Sequence, residues 1–221
     1  MRNLVFGILI ALACSMPCGT GAQGLKSSGV GATDIVPSDW ESIFKTGDLN
    51  HDGIADLIII ATPCHKDKMK TRDDGYVYNF NQPVLAIYWG DKSGKFSLFK
   101  QYDKVIPARV NEFVSYTPSI DINSKGSLQI TIEIFASAGS WEQPTTTYTF
   151  RYQKGDFFLI GKDVTVIARN TGKITTTSEN YLTRKRLITT KQSESKRKPR
   201  TVSSVLPKAA LKPLGRTTLG E

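Results

Sequence analysis

Asp48-Leu49-Asn50-His51-Asp52-Gly53-Ile54-Ala55-Asp56 runs without a break into Leu57-Ile58-Ile59-Ile60. Oxygen-bearing side chains stand at positions 1, 3, 5 and 9 of this loop, and a glycine at position 6, where the chain must turn sharply. Calcium is a hard cation that takes about six to eight oxygens from carboxylates, amides, carbonyls and water. Asp48, Asn50, Asp52 and Asp56 offer side-chain oxygens and Ile54 its carbonyl, so the stretch reads as a candidate calcium site. A turn that binds nothing is the plainer alternative, since Asp, Asn and Gly favour turns on their own account.

The residues after the loop set the fold class. A twelve-residue EF-hand loop ends in a bidentate glutamate, but the twelfth position here is Ile59. Leu57 to Ile60 is a short, β-branched apolar run, which reads as a buried strand rather than a helix. The loop therefore joins two strands. Upstream, Trp40, Ile43 and Phe44 make a short apolar segment, open between a strand and one helical turn.

Downstream, Pro63 to Gln82 is a long polar loop, long enough to be functional or mobile. Val84 to Trp89 and Phe96 to Phe99, joined by the glycine-rich Gly90–Lys95, carry a hairpin signature. Leu128 to Ile134 alternates cleanly, as a half-buried antiparallel strand does. Thr146–Tyr152 with Phe157–Ile160 forms another hairpin, and Val164–Ala168 with Lys173–Thr177 a last strand pair. The fold class is mainly β, built from antiparallel strands and hairpins with few helices.

The ends differ from this body. Arg2, an apolar stretch from Leu4 to Ala13 and small residues up to Ala22 read as a secretory signal peptide over residues 1–22. The mature chain is then periplasmic or secreted. A lipoprotein anchored at Cys14 is the alternative. Cleavage after Ala22 leaves Cys64 as the lone cysteine, with no disulfide to form. No later segment is apolar for long enough to span a bilayer.

Residues 23–36 read as a linker and 37–182 as one β-rich domain. Residues 1–182 hold 18 Lys/Arg against 18 Asp/Glu, so the whole formal charge of +9 falls in residues 183–221. That basic segment reads as a solvated, disordered tail, with contact to an acidic surface as its specific alternative. It has no aromatic residue to stack on bases, which argues against nucleic acid.

Gly47 to Ile59, followed by Leu85-Ala86-Ile87-Tyr88-Trp89-Gly90-Asp91-Lys92-Ser93-Gly94-Lys95-Phe96, resembles an FG-GAP (VCBS-type) repeat. The resemblance covers residues 40–105. It implies a propeller-blade-like unit with calcium held by Asp48, Asn50, Asp52, Asp56 and the Ile54 carbonyl. Propellers close with several blades, and the chain has one convincing copy. The second half, residues 113–182, is similar instead to the back end of small bacterial envelope proteins. Gly139-Ser140-Trp141, Tyr148-Thr149-Phe150-Arg151-Tyr152 and Phe158-Leu159-Ile160-Gly161 carry that likeness.

Catalytic chemistry has few residues to draw on. The chain has two histidines, His51 and His65. Cys64 and His65 are adjacent, so on a strand they point to opposite faces, and zinc would need further His or Cys ligands. Glu133 and Glu142 are conceivable as an acid pair for sugar hydrolysis, though nothing in the sequence fixes their separation. The residues thus favour a non-enzymatic, calcium-binding extracytoplasmic β protein that binds a protein or a glycan. The rival is an envelope enzyme using the 63–82 loop with Cys64 and His65.

Overall fold

The computed structural model describes residues 24–195 and 197–220. The expected signal peptide over residues 1–22, and with it Cys14, lies outside the described residues. The chain begins with β1 (Ser28–Gly29), a single helical turn α1 (Ala32–Ile35), β2 (Glu41–Gly47) and β3 (Asp56–Thr62). A small hairpin comes next, β4 (Met69–Thr71) and β5 (Val77–Asn79), then β6 (Val84–Gly90) and β7 (Phe96–Tyr102). The second half runs through β8 (Val114–Ile122), β9 (Leu128–Ala136), β10 (Glu142–Gln153), β11 (Asp156–Ala168) and β12 (Lys173–Asn180). It closes with β13 (Lys185–Gln192) and β14 (Arg200–Val205).

These strands form a five-stranded sheet of order β1-β7-β6-β3-β2 and a seven-stranded meander of order β14-β13-β12-β11-β10-β9-β8. All their pairings are antiparallel. The protein is mainly β, as the sequence predicts.

β3 shows why its sequence is apolar throughout. Strand side chains alternate between faces, and here both faces are covered. Ile58 and Ile60 join Leu85, Ile87, Leu128, Ile130, Phe150 and Phe157 in a core fed by both sheets. Leu57 and Ile59 point the other way, into a smaller cluster with Ala32, Ile35, Val36 and Tyr88. β9 buries one face only: Leu128, Ile130 and Ile132 are fully buried, which matches its alternating pattern. β8 is an edge strand, and such a strand tolerates Pro118.

Four expectations are corrected. The described part of residues 23–36 is not a linker: β1 pairs with β7, and α1 caps the outer face of the five-stranded sheet with Ile35 fully buried. The Tyr88 hydroxyl donates to the Lys26 carbonyl at 2.9 Å and ties this segment down. The long polar loop folds back as the β4–β5 hairpin. The described part of residues 183–221 is not a disordered tail: β13 and β14 extend the meander, and Leu206, Leu214 and Leu219 are buried. Threonine and valine supply the strand-forming side chains there, and the three leucines supply the anchors. Val164–Ala168 is no separate strand but the second half of the thirteen-residue β11.

Candidate metal loop and the cleft beside it

The loop between β2 and β3 is built on its own amides. Asp48 Oδ1 accepts from the backbone N–H of His51 at 2.7 Å and of Asp52 at 3.2 Å, and Oδ2 from Gly53 at 3.0 Å. Asn50 Oδ1 accepts from Asp52 N–H at 3.0 Å, while Asp52 Oδ1 accepts from Ile54 N–H at 2.8 Å. Gly53 sits at φ 82°, where an L side chain would be strained, and His51 at φ 65°. The imidazole is exposed.

Asp56 closes the loop. Its side chain has no exposed surface, and it accepts from Leu49 N–H at 2.8 Å and from Gly90 N–H, on β6, at 3.1 Å. One carboxylate thus fastens both the start of the loop and the neighbouring strand. Burial pushes its carboxyl above the ordinary value of 3.8, the Leu49 and Gly90 amides pull it back, and the charges of Asp52 and Asp48 push it up again.

The charges of Asp48 and Asp52 thus bear on Asp56, yet none of the three has a cationic side-chain partner among the described residues. Beyond these bonds, each of Asp48, Asn50, Asp52 and Asp56 also keeps at least one unused oxygen lone pair. The donor chemistry fits a hard cation. Among the described residues, however, no three His, Cys, Asp or Glu side chains converge as a ready metal-holding group. The oxygens are turned onto the loop's amides instead.

The loop is also packed into the molecule. Leu49 is fully buried in the core shared by the two sheets. Gly126, in the β8–β9 turn at φ 66°, lies against it: a Cβ there would sit 2.5 Å from His51 Cε1 and 2.8 Å from the Asp48 carbonyl oxygen. The loop thus touches both sheets.

The other sequence candidates are not gathered into a site. Cys64 is half-buried with its Sγ 3.7 Å from Met69 Sδ, and the His65 ring is exposed. Glu133 accepts from Gln143 Nε2 at 2.6 Å and lies opposite Thr145. Glu142 is three positions from Thr145 on β10, about 10 Å along the strand, so the two acids do not form a pair.

A cleft that sequence reasoning missed lies between the edges of β2 and β8, under the β4–β5 hairpin. It measures about 370 Å³, with Glu41, Tyr76, Tyr78, Asn81, Arg109 and Tyr116 in its lining. A second hollow of about 230 Å³ shares Tyr76, Tyr78 and Arg109 and adds Phe113 and Phe135. Tyr76 and Tyr78 meet edge to face at 4.9 Å, and the Arg109 guanidinium lies 5.1 Å from the Tyr78 ring centre. The period-two spacing of Tyr76 and Tyr78 is the signal that could have marked one wall. Among the described residues no helix is long and apolar enough to cross a membrane. No family model matches this chain, and no curated protein or solved structure is significantly similar to it.

Proposed function

We propose that the chain is a non-enzymatic, extracytoplasmic calcium-binding β module that recognises a protein or a glycan. The observation that carries the calcium reading is the set of three carboxylates, Asp48, Asp52 and Asp56, in which the charges of the first two push up the third, without a cationic partner among the described residues. Their spacing, shared with FG-GAP repeats, adds support. Asp48, Asn50, Asp52, Asp56 and the Ile54 carbonyl would hold the ion, and the ion would neutralise the charge concentrated there. The aromatic cleft supports the recognition half of the reading. Tyr76, Phe113 and Phe135 are all exposed large aromatics on one side of the molecule, the amphipathic surface that sugar rings and protein side chains stack against.

Calorimetry on chelator-stripped protein tests the reading. One calcium per chain is expected. An ion that binds only the folded state stabilises it by RT ln(1 + [L]/Kd), about 1.4 kcal/mol for a Kd on the order of 10⁻⁴ M at about 10⁻³ M calcium. In a chain of this size that raises the melting temperature by roughly 3–5 °C. Asp52→Ala, at an exposed position, should fold and lose the calcium-dependent rise. No heat and no rise in the unaltered protein would leave the loop as a turn only.

A further inference from the structure

A separate cavity lies against β10, β11 and the β12–β13 turn, beside the segment after β14. That segment is fixed at two places. Leu206 is buried, with its N–H on the Arg184 carbonyl at 2.7 Å. Six residues on, the Lys212 carbonyl accepts from Leu159 N–H at 2.9 Å, and Pro213 bridges to Phe158. Between these anchors residues 207–210 are exposed, and Pro207, Ala209, Ala210 and Leu211 line a hollow. The hollow measures about 380 Å³, within the range of ligand pockets, about 300–1,000 Å³.

The charges in its lining are of one sign. Leu159, Leu206, Leu211 and the rings of Tyr148 and Tyr181 provide apolar surface, and the charged residues in the lining are Lys162, Lys212 and Arg216. Among the described residues no carboxylate lines it. Glu179, the nearby acid, bonds Arg186 and the Tyr181 hydroxyl, and its carboxyl is pulled down by those bonds and by the Lys162 charge, against the push of burial. Lys162 also lies 5.3 Å from the Tyr148 ring centre. Lys212 and Arg216 are exposed and make no ion pair among the described residues.

From this pairing of an apolar floor with a wholly cationic set of charges, we infer that the cavity binds one monomeric anionic amphiphile. Its chain lies against Leu159, Leu206 and Leu211, and its carboxylate or phosphate head is held by Arg216 and Lys212. Guanidinium and ammonium groups bind both kinds of head through charge-assisted hydrogen bonds. This site is independent of the calcium loop.

Titration calorimetry on the full chain, with ligands kept below their micelle concentrations, tests it. Octanoate and octyl phosphate should bind at one per chain, octanol about tenfold more weakly, and inorganic phosphate without measurable heat. Arg216→Met, which keeps the apolar stem, should weaken octanoate about tenfold and leave octanol unchanged. Ala210→Trp, at an exposed position, should abolish octanoate binding by filling the cavity. The inference is overturned if neither amphiphile gives heat or a melting shift, or if octanol binds as tightly as octanoate. It is also overturned if phosphate matches octyl phosphate, if Ala210→Trp leaves octanoate unaffected, or if the protein binds phosphatidylglycerol vesicles but no monomer.

Discussion

Asp56 is an ionisable group with no exposed surface, and its ionisation works against the fold. Its folded carboxyl is raised above the ordinary 3.8, first by burial and then, past the opposing pull of the Leu49 and Gly90 amides, by Asp52 and Asp48. Between the unfolded and folded values the folded chain holds a proton that the unfolded chain has released. The stability contributed by the neutral carboxyl is thus fully present below the unfolded value and is lost as pH rises through the folded one. Chelated protein should lose stability relative to Asp56→Asn from about pH 4 upward, and calcium should reverse that trend. Denaturant titrations of both proteins across the acid range measure the difference. The comparison with Asp56→Asn matters because ion-paired acids such as Asp156, which Lys100 pulls down against the push of burial, slope the other way. A second residue is decided by space alone. A Cβ on Gly90 would lie 2.0 Å from the Ala55 carbonyl oxygen. Gly90→Ala should cost about 3 kcal/mol, at the upper end of overpacking effects, because backbone rather than a flexible side chain must yield. Urea unfolding reads it directly.

At the level of elements, the strands that could be read from the sequence are those whose burial leaves a pattern. β3 is apolar at every position from Leu57 to Ile60 because Ile58 and Ile60 face one cluster and Leu57 and Ile59 another. β9 alternates because it has one dry face. β13 and β14 carry neither mark: their residues are half-buried or exposed along their length, and threonine, serine and basic residues outnumber the leucine and isoleucine that pattern reading depends on. Counting the charge of residues 183–221 then misleads, since lysine and arginine heads say nothing about the backbone between them. The candidate calcium loop was legible because its residues are contiguous. The aromatic cleft was not, because Glu41, Tyr78, Arg109 and Tyr116 come together only after the sheets form. The segment after β14 gives the direct test. Leu214 is fully buried in the core shared by the two sheets, so Leu214→Ala should cost about 2–5 kcal/mol. A thermal midpoint unchanged by that substitution would return the segment to a dispensable end.

Across the whole molecule, one core joins the two sheets, and the candidate metal loop touches both through Leu49 and the Gly126 turn. Neutralising the loop should therefore stabilise the assembly of sheets and not β3 alone, with a single calorimetric transition moving as one. The outermost strand has a different kind of consequence. β14 ends the meander, is exposed along its whole length, and shows Val202 and Val205 at 51% and 75% exposure. Its outer row of amides and carbonyls is open to pairing with a second chain. Beside it stand Lys185, Lys191, Arg197, Lys198 and Arg200, all exposed, in a region that carries the entire net charge. Two such edges approaching each other repel, so the colloidal behaviour of the protein is set by ionic strength. The Debye length is about 10 Å at 0.1 M salt and about 3 Å at 1 M. Light scattering should report single chains in dilute buffer and growing association as salt is added, and replacing Val202 with lysine should keep the chains apart even in concentrated salt.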